Sequence, residues 1–309
     1  MFSTIGQLIL SFLAIFQVDS SQLALINPSI PASVPQEQVK TLPPLPRISI
    51  PDSVTAKSIL VSDINRKESL AEWNADASLP IASLSKIMTG FVALKYANPE
   101  TEFLISKESI GTSEAAGDFE PGEHLRLEDL ITAMMMYSSN DAAMIIAENV
   151  GGMISGETYE EKISRFVEVM NENAWELNMG QTIFKNPTGL DLGPGEPSNY
   201  SSARDLERLV VAVRDKSNII WDLSRSSEKN IYSSENKLHR LININELLGK
   251  IPHALGGKTG STDSSGESVL VLYEYPLGQP EVLILLGAES GRRFIEGGEL
   301  LKQIMPVLP

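Results

Sequence analysis

Residues 83–97 read SLSKIMTGFVALKYA, and they mark the point where strand-like sequence gives way to helix. Apolar residues recur here at helical spacing, after a serine of the kind that begins helices. Ser83 and Lys86 are three positions apart at this start, so they share one face with their Cβ atoms about 5–6 Å apart. The stretch therefore predicts a helix that presents a serine and a lysine side by side.

A serine and a lysine in this arrangement form a candidate nucleophile and base. Serine is a poor nucleophile until a neighbouring base takes its proton. A lysine that is partly removed from water and close to a second cation has a lowered pKa, which makes it such a base. Free backbone N–H groups at a helix start stabilise an oxyanion. The S-x-x-K spacing also fits a capping serine beside an exposed lysine, so the pair alone leaves both interpretations open.

Two further polar motifs lie far along the chain. Ser138-Ser139-Asn140 follows the apolar run 133–137, and this position at the end of a buried helix would point a hydroxyl and an amide into a cleft. Lys258-Thr259-Gly260 follows two glycines that permit close backbone approach. On an edge strand, this second motif suits an extended peptide that ends in a carboxylate. Read singly, the two motifs also fit a polar helix terminus and a surface turn.

The remaining pattern places strands at both ends of the folded region and helices between them. Strands are predicted at 56–63, 68–73, 268–275 and 281–288, and further helices at 127–150, 162–177, 203–215 and 296–305. If the end segments share one sheet, the middle forms a helical lobe with a cleft between the two. The predicted class is α+β.

The first fifty residues do not follow this pattern. Residues 5–18, IGQLILSFLAIFQV, have the length of a signal-peptide core, although no Lys or Arg precedes Lys40. Seven prolines between positions 27 and 51 favour an extended spacer. We therefore expect a signal or anchor at 1–26, a tether at 27–50 and a folded domain at 51–309. An extracytoplasmic location and attachment to a membrane through residues 5–18 follow as expectations.

Composition excludes several classes of function. The 309 residues contain 25 Lys plus Arg and 40 Asp plus Glu, which gives a formal net charge of −15. That balance argues against nucleic-acid binding and against docking on anionic lipid through a basic surface. The chain has no Cys, so a thiol nucleophile, disulfides and Cys-based zinc sites are excluded. Its three histidines are scattered and no H-E-x-x-H occurs, so no metal or other cofactor is expected.

In the order S-x-x-K, S-x-N, K-T-G, the three motifs match a pattern of penicillin-binding proteins and class A β-lactamases. The stretches 55–63, 71–90, 119–148 and 256–266 extend the match, and the sequence resembles the serine D-alanyl-D-alanine carboxypeptidases from about Pro51 to the end. The resemblance implies an antiparallel sheet flanked by helices plus an all-helical lobe, with the active site in the cleft. The sheet lobe would comprise about 51–82 and 255–309, and the helical lobe about 83–254.

The resemblance also implies roles for residues of the first two motifs. Ser83 is expected to be the acylated nucleophile and Lys86 its general base. Ser138 is expected to relay a proton toward the leaving amine. Asn140 is expected to hold the peptide backbone of the substrate.

The remaining implied residues would bind the end of the substrate. Lys258 is expected to tune the site electrostatically and Thr259 to meet the terminal carboxylate. Gly260 lies between them and Ser261, whose backbone N–H is expected to form an oxyanion hole with that of Ser83. Arg293 in the sequence GRRF is expected to bind the carboxylate. Arg292 stays an alternative, because a one-residue gap would exchange the two.

The activity implied by the resemblance is removal of the terminal D-Ala from the stem peptides of peptidoglycan, with β-lactams as inhibitors that acylate the same serine. Action on D-Ala cross-links, as a DD-endopeptidase, is the main alternative. A β-lactamase of class A would need E-x-x-L-N, and this chain has Ala174 where the Glu should stand before Leu177 and Asn178. A non-catalytic peptide-binding module would be expected to lose Ser83, Lys86 or Lys258.

Two departures from the family pattern matter. The sequence stops one helix after the last strand, without the small β-domain and the amphipathic helix that anchor many family members. Any anchoring is therefore expected from residues 5–18. Ser261 stands where some relatives carry a bulkier residue, which leaves substrate preference open.

Overall fold

A computed structural model describes residues 47–111 and 117–305. In chain order its helices are α1 (Lys86–Tyr96), α2 (Leu127–Thr132), α3 (Asn140–Ile154), α4 (Tyr159–Glu176), α5 (Ala203–Lys216), α6 (Ile219–Ser224) and α7 (Arg293–Ile304). Its strands are β1 (Ser58–Asp63), β2 (Glu68–Trp73), β3 (Leu79–Pro80), β4 (Glu102–Leu104), β5 (His124–Arg126), β6 (Tyr200–Ser201), β7 (Glu228–Tyr232), β8 (Leu238–Ile242), β9 (Ala254–Thr262), β10 (Gly266–Glu274) and β11 (Pro280–Ala288).

The central element is a five-stranded antiparallel sheet in the order β2-β1-β11-β10-β9. The first strand pairs with the last, with Ser58 opposite Leu286. The opening and closing segments therefore share one sheet, as the sequence predicts. Strand β9 carries the K-T-G motif and lies at the free edge.

Helices cover both faces of this sheet, which explains why its inner strands are almost continuously apolar. Along β1, Leu60 belongs to the core on one face, while Ile59 and Val61 belong to the core on the other. Helix α5 packs on the first face and α7 on the second. Successive side chains of a strand point to opposite faces, so β1 contributes residues to two separate hydrophobic clusters.

The prediction of one helix over 127–150 is wrong, because this stretch is interrupted. A π-helical turn at Ala133–Tyr137 follows α2, and Ser138 then adopts a left-handed conformation with φ 65°. Helix α3 begins anew, and Ser139 caps it by accepting a hydrogen bond from Ala142 N at 3.1 Å. In a continuous helix the side chain of Ser138 would point away from the sheet. The break instead directs this side chain toward the sheet.

Other elements agree with the sequence to within a few residues or have no counterpart in the sequence pattern. The helix predicted from Ser83 begins with a 3-10 turn at Ala82–Ser85 and continues as α1. A capping box between Thr158 and Glu161 starts α4 three residues before its predicted position. The hairpin of β7 and β8 and the short helix α6 are absent from the predicted elements.

The predicted signal or anchor at 1–26 and the tether as far as residue 46 lie outside the described residues. The last tether residues already contact the domain, since Ile48 N donates to Leu70 O at 3.0 Å and Gln303 Nε2 donates to Ser49 O at 2.8 Å. The division at residue 50 and the lobe boundaries stay predictions. Within 47–111 and 117–305, no helix is both long and apolar enough to cross a bilayer.

A buried carboxylate ties the start of the domain to its last helix. Glu296 of α7 is fully buried and accepts hydrogen bonds from Thr55 N at 2.9 Å, Thr55 Oγ1 at 2.7 Å and Ala56 N at 3.1 Å. Arg292 Nε also donates to it, at 3.1 Å. Both backbone donors lie just before β1, so this contact fixes where the sheet begins.

We expect Glu296→Ala to lower the free energy of unfolding by about 3 kcal/mol, because it leaves the backbone N–H groups of Thr55 and Ala56 without their acceptor and removes the carboxylate that pairs with Arg292. Denaturant unfolding measures this change. Glu299→Ala, at an exposed position of the same helix, is the matched control and should change stability by less than about 0.5 kcal/mol. Equal effects of the two substitutions would contradict the anchoring role of Glu296.

Candidate active site

Ser83 and Lys86 are in direct contact at the start of α1. Lys86 Nζ donates a hydrogen bond to Ser83 Oγ at 2.8 Å. The 3-10 turn leaves Ser83 partly accessible, while Lys86 is fully buried. The serine hydroxyl is therefore reachable from the cleft, and the amine beside it is shielded from water.

Two acceptors from outside α1 complete the surroundings of this amine. Lys86 Nζ donates to Asn140 Oδ1 at 2.7 Å and to Thr188 O at 2.8 Å. Burial lowers the pKa of Lys86 to about 7, because the interior disfavours the charged ammonium. A substantial neutral fraction therefore exists near neutral pH, and a neutral amine can accept a proton.

A second buried lysine lies beside the second motif. Lys258 Nζ donates to Ser138 Oγ at 2.8 Å and to Thr259 O at 2.7 Å. Burial holds the pKa of Lys258 well below its usual value, and the nearby positive charges of Lys86 and Arg293 lower it further. The site therefore contains two serine–lysine pairs. Ser83 and Lys86 lie at the start of α1, whereas Ser138 lies at the helix break and Lys258 on β9.

The edge strand β9 passes close to the turn that carries Ser83. A Cβ atom on Gly260 would lie 2.8 Å from Ile81 O and 3.3 Å from Ser83 N, so only glycine permits this approach. Thr259 is buried on the same strand, and Ser261 is exposed immediately after Gly260. The K-T-G motif therefore runs alongside the candidate nucleophile.

The structure distinguishes the two arginines that the sequence left open. Arg293 Nη1 donates to Gly260 O at 3.4 Å, and its Nε lies 3.9 Å from Glu267 Oε2, which places this guanidinium beside β9. Arg292 instead donates to Glu296 Oε1 and, at 2.9 Å, to Ser53 O. Of the two arginines, Arg293 is therefore the one that lies beside the K-T-G strand.

The segment 186–191 belongs to the stretch FKNPTGLD, which follows the family pattern, but the sequence assigned it no role in the site. Thr188 accepts a hydrogen bond from Lys86 through its backbone carbonyl oxygen. A backbone contact of this kind does not depend on the side chain, so the residue type gives no sign of it. Gly189 has φ +85° and packs on the candidate nucleophile turn, where a Cβ atom would overlap Ala82 O. Asp191 accepts from Thr262 Oγ1 at 3.0 Å and from Ser264 N at 3.3 Å, so it fixes the far end of β9.

The three histidines do not converge on one place. His124 pairs with Glu235 at 2.9 Å, and His239 pairs with Glu123 at 2.7 Å. Across 47–111 and 117–305, no three His, Cys, Asp or Glu side chains are grouped as metal ligands would be.

Comparison with known proteins identifies the family. The family model described as D-alanyl-D-alanine carboxypeptidase matches residues 46–281. This chain belongs to that family. The match covers all three motifs and confirms the resemblance in the sequence.

Two curated relatives differ in how much of their length this chain matches. The chain is 32% identical over 254 residues to a D-alanyl-D-alanine endopeptidase of Pseudomonas aeruginosa, covering 81% of this chain and 77% of that protein. It is 31% identical over 214 residues to the D-alanyl-D-alanine carboxypeptidase DacF of Bacillus subtilis, covering 67% of this chain and 51% of that protein. The chain thus spans about half the length of the second relative.

Solved structures confirm the predicted fold class. The ampicillin-bound penicillin-binding protein D2 of Listeria monocytogenes is 26% identical, with a TM-score of 0.68 over 82% of this chain and 99% of that one. A variant of the Streptomyces K15 DD-transpeptidase shares the fold at 21% identity, with a TM-score of 0.71 over 82% and 97% of the two chains. The α+β architecture with an antiparallel sheet is therefore that of penicillin-binding proteins.

A pair of glycines tests how tightly the 186–191 segment holds Ser83. Gly189 and Gly278 both have φ +85°, but a Cβ atom on Gly278 would meet no other atom within 4 Å, whereas one on Gly189 would overlap Ala82 O. Gly278→Ala should cost only about 1 kcal/mol of stability. Gly189→Ala should cost more and slow penicillin acylation at least about tenfold by displacing the turn. Thermal unfolding and adduct formation measure the two effects, and equal acylation rates would contradict the expected displacement.

Proposed function

We propose that this chain is a serine-type D-Ala-D-Ala carboxypeptidase that removes the terminal D-Ala of peptidoglycan stem peptides through an acyl-enzyme on Ser83. The observation that carries this proposal is the 2.8 Å contact between Ser83 Oγ and the buried Lys86 Nζ, whose pKa is lowered to about 7. Serine is a weak nucleophile until an adjacent general base takes its proton. Membership of the family supports the substrate class.

Acylation begins with neutral Lys86, which takes the proton from Ser83 Oγ as that oxygen attacks the carbonyl carbon of the scissile bond. The backbone N–H groups of Ser83 and Ser261 receive the oxyanion, since Gly260 brings β9 next to the turn. The C–N bond then breaks, Ser138 passes its hydroxyl proton to the leaving amine of D-Ala, and the proton that Lys86 took from Ser83 replaces it, so Lys86 is neutral again. The Ser138 hydroxyl suits this relay because Lys258 Nζ donates to it at 2.8 Å.

Deacylation reverses the chemistry with water in place of the amine. Lys86 takes a proton from water, the resulting hydroxide attacks the ester, and the Ser83–acyl bond breaks. Lys86 returns the proton that it took from water to Ser83 Oγ, and the shortened peptide leaves with a new C-terminal carboxyl group. No group beyond the side chains and water is required for the balance of atoms and charge.

Positive charge near β9 accounts for selection of a free C-terminal carboxylate. Lys258 Nζ donates to Thr259 O, and Arg293 Nη1 donates to Gly260 O. The positive charge of Arg293 also helps to lower the pKa of Lys258. A substrate carboxylate placed against Thr259 would meet the Arg293 guanidinium and would lie near the Lys258 amine. Asn140 lies across the cleft, where its amide is suited to hold the peptide backbone of the substrate.

Several wider expectations depend on this function. β-Lactams are expected to acylate Ser83, an expectation supported by the ampicillin-bound relative. Action on the cell wall implies an extracytoplasmic location. Attachment through residues 5–18 stays a prediction, and nucleic acid is not an expected partner.

Endopeptidase action on D-Ala cross-links is a second candidate. The observation in its favour is the 32% identity to a D-alanyl-D-alanine endopeptidase over 81% of this chain. Release of D-Ala from a pentapeptide, compared with cleavage of a purified cross-linked dimer, distinguishes the two activities. The chemistry at Ser83 would be the same in both.

The experiment that tests the proposal is release of D-Ala from a peptide ending in D-Ala-D-Ala. We expect Ser83→Ala and Lys86→Ala each to lower the rate by at least about 10⁴-fold, because nucleophile and base act as one unit. Lys95→Ala, on the exposed part of α1, is the control and should retain activity. Turnover by folded Ser83→Ala would overturn the assignment.

The pH dependence follows from the pKa of Lys86. Below about pH 7 the folded protein holds the extra proton on this amine, so the base is occupied, and above that pH it is free. The second-order rate of penicillin acylation should therefore rise with pH through a midpoint near 7. Stopped-flow or quench measurements between pH 5 and 9 check this, and a rate that rises only toward pH 10 would contradict it.

Arg293→Ala tests recognition of the carboxylate. Loss of a charged partner should lower kcat/KM about 10- to 100-fold for a free C-terminal carboxylate and leave an amidated substrate nearly unchanged. Arg292→Ala is the matched neighbour and should not alter the ratio between the two substrates. Equal losses on both substrates in Arg293→Ala would argue for a structural role instead.

A further inference from the structure

Asn199 holds both ends of the turn that carries Ser83. This residue is 1% exposed, and its backbone oxygen accepts a hydrogen bond from Ile81 N at 3.1 Å. Its Nδ2 donates to Ser85 Oγ at 2.8 Å, and Ser85 Oγ in turn donates to Ala82 O at 2.7 Å. These contacts therefore hold the chain on both sides of Ser83 in the sequence.

The turn needs such support because its first residue is strained. Ala82 has φ +44°, a conformation that a residue with a side chain adopts only when its surroundings enforce it. The hydroxyl of Ser85 binds the carbonyl of this same residue, and Asn199 fixes that hydroxyl. Loss of the amide would release the strained peptide next to Ser83.

The same amide also holds the loop that faces Lys86. Its Oδ1 accepts from Lys185 N at 2.7 Å and from Asn186 N at 3.3 Å, and its Nδ2 donates to Asn186 O at 2.9 Å. The side chain of Asn186 accepts from Thr188 N at 3.1 Å. Thr188 O then accepts from Lys86 Nζ at 2.8 Å. Two intermediate residues, Asn186 and Thr188, thus connect Asn199 to the amine.

All four hydrogen-bonding positions of this side chain are used, two as acceptor and two as donor. Aspartate would lose both donors, and serine is too short to reach the loop and the turn together. A fully satisfied buried amide fixes its neighbours in one arrangement. The side chain of Asn199 thus bonds both to the turn at 82–85 and to the loop at 185–186.

We infer that Asn199 is a positioning residue that sets the separation of Ser83 Oγ from Lys86 Nζ and keeps the loop closed over the amine. This inference rests on the proposed function, since it concerns the same nucleophile and base. Asn199 acts through Ser85 on one side and through Asn186 and Thr188 on the other.

The test is penicillin acylation of full-length Asn199→Ala, followed by intact-protein mass spectrometry across pH. We expect the rate to fall about 10- to 100-fold, because misplacement of reacting groups by about 1 Å has this effect. We also expect the midpoint of the pH profile to move upward, because an opened loop admits water to Lys86. Asn173→Ala, another buried amide at 3% exposure that bonds to Lys95 and Val169, should lower thermal stability without either change.

A milder variant keeps the inference testable if Asn199→Ala folds poorly. Ser85→Ala removes the link to Ala82 and leaves the loop at 186–188 in place. It should slow acylation without moving the midpoint, and the double variant should lose no more than Asn199→Ala alone.

Wild-type rates and midpoints in folded Asn199→Ala would overturn the inference, and so would a wild-type rate in Ser85→Ala. If the wild-type protein itself forms no adduct on Ser83, the proposed function fails, and the inference fails with it. Release of D-Ala by the wild type, together with adduct formation that is lost in Ser83→Ala, tests the proposed function independently of Asn199.

Discussion

Removal of the Lys86 amine from water is the constraint on which the rest of the site depends. An amine with no solvent contact is destabilised in its charged form, and the protein offsets this with three acceptors within hydrogen-bonding distance. Those acceptors come from Ser83, Asn140 and Thr188, which lie on three different segments. The segments must therefore meet at one point, and the turn at 82–85, the start of α3 after the helix break and the 186–191 loop each supply one side of the enclosure.

The enclosure also explains the interruption between α2 and α3. In a regular helix over 127–154, residues two apart point to nearly opposite sides of the axis. Ser138 could then not face β9 while Asn140 faces α1. The π-helical turn and the left-handed Ser138 redirect the chain, after which α3 starts with Asn140 as its first residue. Lys258 Nζ then reaches Ser138 Oγ, and Lys86 Nζ reaches Asn140 Oδ1. π-Helical turns are frequent at functional sites for this reason.

The sequence alone predicts those parts that depend on local pattern. The apolar runs of β10 and β11, the helical spacing after Ser83 and the three-residue step to Lys86 are all local, and the structure contains them. The break at Ser138 and the carbonyl of Thr188 depend on contacts distant in sequence and leave no mark in periodicity. The sequence prefers Arg293 to Arg292 only through the family resemblance, whereas the phase of α7 decides which guanidinium faces β9. The roles of these residues in catalysis stay predictions.

The most direct test of the account is the titration of Lys86 itself. NMR of the protein labelled with ¹³C or ¹⁵N at lysine side chains follows each amine with pH, and the resonance of Lys86 is assigned by its loss in Lys86→Gln. The account predicts a midpoint near 7 for this one amine. A midpoint near the ordinary value of about 10.4 would contradict it, because the amine would then be a cation at neutral pH and could not take the proton of Ser83.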